Sequence, residues 1–294
     1  MDVKTIAVIG AGTMGRGIAY ASALAGFQTV LEDVSDSILA KALDSVRDAF
    51  EEGVRRGKVD PAAREAALAL ISTSRVVDEA IRDAELIIEA VPEELEMKLE
   101  LFTIFDKFAK PNAIFASNTS SLTITEIAAA TRRPQRFVGL HFFNPVPVMK
   151  LVEVVKTIAT DPAVYEEMVA FGAKLGKTPV RANDSGGFIV NRLLVPYLLD
   201  AIRALEEGVG SVVDIDNSMK LGCGYPMGPF ALLDFVGLDT TYYISQIMFD
   251  EFKEKRFAAP PLLKRMVLAG WNGKKSGRGF YDYSDSANPK AMSL

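Results

Sequence analysis

Thr5-Ile6-Ala7-Val8-Ile9-Gly10-Ala11-Gly12-Thr13-Met14-Gly15 decides how the first half of this chain is read. Five β-prone residues run straight into G-x-G-x-x-G, and the helix-like Ile18-Ala19-Tyr20-Ala21-Ser22-Ala23-Leu24 follows. In that setting each glycine has a task. Gly10 permits a tight turn, Gly12 lets a pyrophosphate approach the backbone, and Gly15 lets the helix pack close to the sheet. The N–H groups at the helix start then face the phosphates. The second strand ends in Leu31-Glu32-Asp33. An acid at Asp33 stands where the ribose-binding carboxylate of such folds is expected, and it accepts a free 2′-hydroxyl while repelling a 2′-phosphate. The reading is a Rossmann-type unit that binds NAD, against the bland alternative of a Gly-rich turn in an ordinary α/β protein.

Outward from that stretch, β-rich runs alternate with amphipathic ones up to about residue 185. The expected strands are Thr5–Ile9, Thr29–Leu31, Leu86–Ile88, Ile114–Ala116, Phe137–Leu140, Leu151–Val155 and Thr178–Arg181. Helical stretches such as Glu94–Lys107 and Tyr165–Leu175 lie between them, which predicts a mostly parallel sheet with crossover helices. After about Gly187 the β signal stops. Ile189–Leu205 reads as one helix, apolar nearly all round and so buried on several sides, with a kink at Pro196. The fold class is therefore α/β, with a Rossmann domain at 1–186 and an all-α domain at 187–294.

Composition narrows the chemistry. The net charge of −5 argues against a general nucleic-acid binder, so an anionic ligand must be met by local basic residues. The single cysteine provides neither an internal disulfide nor a cysteine metal cluster. No apolar run is long enough to span a membrane. The first strand starts almost at the N-terminus, which leaves no room for a leader, so a cytoplasmic protein is expected.

There is one histidine, His141, at the end of the strand Phe137–Leu140. Twelve residues on, Glu153 sits among the apolar β residues Leu151-Val152-Glu153-Val154-Val155, where a carboxylate is costly unless partnered. A His141–Glu153 pair would fix the imidazole tautomer and raise its proton affinity, as the base for an alcohol oxidation needs. On the residues alone, His141 could equally be a structural histidine.

Five segments, in order, supply more. They are Ser117-Asn118-Thr119-Ser120-Ser121-Leu122, His141-Phe142-Phe143-Asn144-Pro145-Val146-Pro147, Asp184-Ser185-Gly186-Gly187-Phe188-Ile189-Val190-Asn191-Arg192, Tyr225-Pro226-Met227-Gly228-Pro229-Phe230 and Gly273-Lys274-Lys275-Ser276-Gly277-Arg278-Gly279-Phe280-Tyr281. Together they resemble the L-3-hydroxyacyl-CoA dehydrogenase family, including its 3-hydroxybutyryl-CoA dehydrogenases, over nearly the whole chain. The resemblance implies His141 as acid/base, Glu153 as its orienting partner, and Ser120 and Asn191 on the substrate oxygen. It further implies Asp33 on the adenosine ribose, Glu93 and Lys98 near the nicotinamide ribose, Asn144 on the nicotinamide side, and Lys275 reaching the cofactor from the C-terminal domain. The implied reaction is NAD-dependent interconversion of a 3-hydroxyacyl-CoA, short-chain in this case, and a 3-ketoacyl-CoA, in a homodimer joined through the C-terminal domain.

Read without the resemblance, Ser120 and Asn191 are equally cap or turn residues, and Lys275 a solvated loop lysine. Arg55, Arg56 and Lys58 close a long helix that starts near Ser35; they are either the CoA phosphate contacts or a solvated helix end. Gly186 stands where the family commonly has proline, which predicts a looser hinge. Two rivals remain: a dehydrogenase of a free hydroxy acid, and a non-enzymatic, crystallin-like nucleotide-binding protein. The first would want a cation in the catalytic cluster, and the second has no use for a His141–Glu153 pair.

Overall fold

The computed structural model describes residues 3–292, and the chain divides between Phe188 and Ile189 into two compact units. In the first unit, strands β1 (Thr5–Ile9), β2 (Gln28–Glu32), β3 (Ile71–Ser74), β4 (Leu86–Glu89), β5 (Ile114–Ser117), β6 (Phe137–Phe142), β7 (Leu151–Lys156) and β8 (Thr178–Asn183) form one sheet. Their order is β3-β2-β1-β4-β5-β6-β7-β8. The first six strands are parallel; β7 turns back antiparallel to β6, and β8 runs parallel to β7. The order reverses between β1 and β4, which opens a crevice at their carboxyl ends, the place where such sheets bind ligands.

Helices α1 (Thr13–Leu24), α2 (Asp36–Arg55), α3 (Pro61–Ala69), α4 (Val77–Ile81), α5 (Leu95–Phe108), α6 (Ile124–Ala128) and α7 (Pro162–Lys174) make the crossovers. Local chemistry starts several of them. Asp60 and Asp161 accept backbone N–H groups at the heads of α3 and α7, each followed by proline at the first helical position. Alternation along the inner strands sends side chains into two cores. Ile6, Val8, Leu86 and Ile88 join one under α1, while Ala7, Ile9, Ile87 and Phe115 join the other with Phe102 and Phe105 of α5.

The expected strands are all present: Thr5–Ile9 keeps its bounds and the other six are one or two residues longer. One strand, β3, was not anticipated. Ile-Ser-Thr-Ser at the sheet edge carries a single large apolar residue, so the periodicity that marks a buried strand is absent. His141 lies inside β6 rather than after it.

The second unit holds α8 (Val190–Glu206), α9 (Val212–Cys223), α10 (Pro229–Val236), α11 (Leu238–Phe252) and α12 (Pro261–Leu268) around Leu199, Ile202, Phe230, Met248, Phe257 and Phe280. Strands β9 (Tyr281–Asp282) and β10 (Lys290–Ala291) add a short antiparallel pair to an otherwise helical unit. Helix α8 runs through Pro196 as a single element. Its burial is more one-sided than its composition suggests, since Leu193 is 65% exposed.

Two buried aspartates organise this unit. Asp216 accepts from Phe230 N, Ala231 N and Tyr281 Oη; Asp234 accepts from Phe280 N, Tyr281 N and Tyr283 Oη. A Cβ at Gly228 would lie 2.5 Å or less from Asp216, and one at Gly279 only 2.0 Å from Asp234 Oδ1. The Tyr225–Phe230 and Gly273–Tyr281 segments thus carry glycines because chain and carboxylate meet there.

Candidate active site

The Gly-rich turn is built as its glycines require. Gly10 has φ +97°, and a Cβ on it would lie 2.8 Å from Ala90 O, in the turn after β4. At Gly15 a Cβ would fall 1.7 Å from Gly10 O, so only glycine lets α1 start this close to β1. Gly12 differs: nothing lies within 4 Å of its virtual Cβ. That open space over the head of α1 is the cradle a pyrophosphate needs. Asp33 completes it. Its Oδ2 accepts from Ala11 N at 3.0 Å and its Oδ1 from Ser35 N at 3.2 Å, so the carboxylate is held against the turn from the end of β2.

Across the crevice, Glu93 follows β4. Its Oε1 accepts from Thr119 Oγ1 (2.5 Å), Ser120 N (2.9 Å), Ser121 N (3.1 Å) and Ser121 Oγ (3.1 Å). These donors and the Lys98 ammonium hold the Glu93 carboxyl below the usual glutamate range although burial opposes ionisation. Lys98 is 1% exposed, with Nζ 2.6 Å from Glu89 and 3.3 Å from Glu93. It is a buried ion-pair centre, an arrangement for which its sequence position gave no sign.

The loop from Ser117 to Thr125 is fixed at further points. Asn118 Oδ1 accepts from Phe142 N at 2.9 Å, tying the loop to the strand that carries His141. Asp184, at the end of β8, accepts from Ile124 N at 2.9 Å and Thr125 N at 2.6 Å. Neither Asn118 nor Asp184 was singled out by sequence as a positioning residue. An amide or carboxylate beside a short helix start is the only signal they offer.

His141 and Glu153 face each other directly in the antiparallel β6–β7 register. Residues so paired bring their Cβ atoms to about 5 Å, and the twelve-residue spacing is that of two strands joined by a short loop. Nδ1 lies 2.7 Å from Glu153 Oε2; the ring is 4% exposed and the carboxylate 0%. The imidazole is flanked by the rings of Phe143 and Phe188, at 4.4 and 5.6 Å. With Nδ1 engaged, Nε2 is the nitrogen left for proton transfer.

The remaining candidates spread over both units. Asn144 lines a recess with Thr13 and Arg16 at the head of α1. Arg56 and Lys58 line a cavity of about 700 Å³ with Lys150, Lys177 and the apolar Tyr20 and Pro147. Arg55 is not in its lining; both Arg55 and Arg56 pair with Glu52 on α2. Asn191 and Lys275 belong to the second unit, where Lys275 pairs with Asp239 at 2.6 Å. Beside Asn191, Arg192 stacks on Phe252 with its guanidinium 3.6 Å from the ring centroid. Gly186 has no left-handed φ; Gly187 (φ +75°) and Phe188 (φ +48°) do.

Residues 5–185 match the model of the 3-hydroxyacyl-CoA dehydrogenase NAD-binding domain, and residues 187–283 match that of its C-terminal domain. The chain belongs to the 3-hydroxyacyl-CoA dehydrogenase family. It is 49% identical over 287 residues to the human mitochondrial hydroxyacyl-coenzyme A dehydrogenase, covering 96% of this chain and 91% of that protein. With the 3-hydroxybutyryl-CoA dehydrogenase of Mycobacterium tuberculosis it shares 46% identity over 283 residues, 96% of this chain and 99% of the other. The crystal structure of (S)-3-hydroxybutyryl-CoA dehydrogenase from Ralstonia eutropha superposes with a TM-score of 0.93 at 40% identity, covering 97% and 100% of the two chains. The N-terminal unit is thus an NAD-binding domain, as its Gly-rich turn indicated. Among the described residues, no helix is long and apolar enough to cross a membrane.

Proposed function

We propose that this dehydrogenase interconverts short-chain 3-hydroxyacyl-CoA and 3-ketoacyl-CoA thioesters, with 3-hydroxybutanoyl-CoA as the type substrate. NAD oxidation of a 3-hydroxyacyl-CoA follows from its family, and the chain-length assignment rests on its likeness to 3-hydroxybutyryl-CoA dehydrogenases. The observation that carries the chemistry is the buried His141–Glu153 pair.

Gly10, Gly12, Gly15 and Asp33 hold the dinucleotide, and Glu93, with Asn144 on the other wall, borders its nicotinamide end. The cofactor held there would supply the hydride acceptor for the substrate's C3 as NAD and the hydride donor as NADH. In oxidation, His141 takes the 3-hydroxyl proton at Nε2 and becomes imidazolium. Glu153 accepts the Nδ1 hydrogen, holds the ring in that tautomer and balances the new charge. In reduction the same proton goes back to the carbonyl oxygen. Ser120 and Asn191 donate to that oxygen and hold it, so partial charge develops against fixed dipoles. The CoA phosphates meet Arg56 and Lys58 in their cavity, four cations facing one carboxylate, Glu52, in a chain that is acidic overall. Arg55 lies beside it, and Lys275 serves from the second unit.

The chain works as a homodimer through its C-terminal unit. Leu193 and Leu221, 65% and 83% exposed, and Tyr225 and Phe235 are among the large apolar side chains that unit leaves exposed and a two-fold contact could cover. Light scattering should return twice the 31.9 kDa chain mass; the monomer mass would refute the dimer. We place the enzyme in the cytoplasm.

Steady-state kinetics with 3-ketoacyl-CoA thioesters of increasing chain length tests the reaction. The highest kcat/KM is expected at four carbons. Free 3-hydroxybutyrate should be a poor substrate, because it leaves the basic cavity empty. A preference for the free acid would overturn the reading, and a long-chain optimum would overturn the short-chain assignment.

A further inference from the structure

The reaction as drawn gives no task to Glu89, the last residue of β4, which is 0% exposed. Its Oε1 accepts from Lys98 Nζ at 2.6 Å and from Val91 N at 2.8 Å, and its Oε2 from Ser117 Oγ at 2.5 Å. Ser117 Oγ in turn accepts from Thr119 N at 3.2 Å, so its one hydrogen is committed to Glu89. Burial pushes the Glu89 carboxyl up, and the Lys98 ammonium, Ser117 hydroxyl and Val91 N–H that face it oppose that shift. A bare carboxylate at this depth would be costly, and its ion pair with Lys98 offsets that cost.

Lys98 does not stop at Glu89. The same ammonium reaches Glu93 Oε2 at 3.3 Å, and Glu93 Oε1 collects the Thr119 and Ser121 hydroxyls and the N–H groups of Ser120 and Ser121. Two routes therefore run from Glu89 to one short loop. One passes through Ser117 into Thr119; the other passes through Lys98 and Glu93 into residues 119–121. Both end on the backbone that carries Ser120.

We infer that Glu89 is a positioning residue for the substrate-oxygen site: through Ser117 and through Lys98–Glu93 it fixes the backbone of residues 117–121 and so sets where Ser120 stands. The inference rests on the proposed role of Ser120. In Glu89→Gln an amide N–H₂ replaces one oxygen, so Lys98 loses this charge partner and Ser117 Oγ must turn its hydrogen away from the group to accept instead. The loop shifts with them, and misplacing a reacting group by about 1 Å costs up to roughly 100-fold in rate.

A double-mutant cycle with Ser120→Ala separates positioning from bulk stability. The assay is NADH oxidation at saturating NADH and the four-carbon 3-ketoacyl-CoA, with Tm recorded for each variant. Glu89→Gln should lower kcat at least about 10-fold when Ser120 is present, but less than about twofold in the Ser120→Ala background, where no hydroxyl is left to position. Ser117→Ala, run through the same cycle, removes one donor to Glu89 without touching the ion pair, and covers the case in which Glu89→Gln does not fold. Equal losses in both backgrounds, or a Glu89→Gln enzyme within twofold of wild type, would overturn the inference while leaving the reaction intact. A Ser120→Ala enzyme at the wild-type rate would overturn both this inference and the role of Ser120.

Discussion

Glu153→Gln isolates the electrostatic part of the proposed chemistry. Glutamine keeps the size and shape of a side chain that is wholly buried, and its amide oxygen can still accept from His141 Nδ1 across the 2.7 Å contact. What it cannot do is carry charge opposite the imidazolium. For charge centres about 4 Å apart at an effective dielectric of roughly 20, that attraction is about 4 kcal/mol. The transition state develops only part of the charge, so about 3 to 4 kcal/mol is the expected loss, or roughly 100- to 1,000-fold in kcat. Stopped-flow reduction of the four-carbon 3-ketoacyl-CoA measures the chemical step, and NADH fluorescence titration measures cofactor binding. The dissociation constant for NADH should stay within about threefold of wild type, because Glu153 lies on β7 and the nucleotide turn on β1, at opposite sides of the sheet order. A rate within fivefold of wild type would show that Glu153 does not support the charge on His141, and the pair would then be structural.

Two further perturbations act on the nucleotide side. Asp33→Ala removes the carboxylate that accepts from Ala11 N and Ser35 N, so it should weaken NADH binding by about 10- to 100-fold while eroding the preference for NAD over NADP; an unchanged ratio of the two specificity constants would remove Asp33 from the ribose site. Burial, with the neighbouring charge of Asp33 adding to it, pushes Glu32 up to about 7. A raised folded-state pKa means that its contribution to stability is fully present below the unfolded glutamate range and is lost as pH rises through 7. Glu32→Gln stays neutral throughout, so its stability relative to wild type should improve between pH 5 and pH 8 by about 2 to 3 kcal/mol in denaturant titrations, and a difference independent of pH would contradict the assignment.

Glu32, Glu89 and Glu153 also show how far the sequence could be read. All three are carboxylates that end or interrupt apolar strands, and all three are 0–2% exposed. A glutamate among β-branched residues needs a partner, and for Glu153 that partner is in view as the one histidine. Glu89 in Leu-Ile-Ile-Glu needs one equally, but its partner Lys98 sits nine residues on, in an amphipathic helix where a lysine reads as solvated. Glu32 lacks even that: its Oε1 has no hydrogen-bond partner among the described residues. Short-range signals were legible because they are set by backbone conformation, as in the Gly10–Gly15 turn and the proline-led starts of α3 and α7. Edge strand β3 and the Asp216–Asp234 anchors were not legible. An edge strand needs no apolar alternation, and the anchors join residues up to 65 positions apart.

In the proposed reaction it is His141 that moves the proton. Because the chain has no other histidine, His141→Gln leaves no imidazole to substitute for it. Single-turnover reduction of the four-carbon 3-ketoacyl-CoA by bound NADH, compared in wild type and His141→Gln, reads that step directly. The expected result is a rate lower by about 100- to 10,000-fold with NADH affinity nearly unchanged, the range that acid–base catalysis supplies. A His141→Gln enzyme that keeps more than half of the wild-type rate would contradict it.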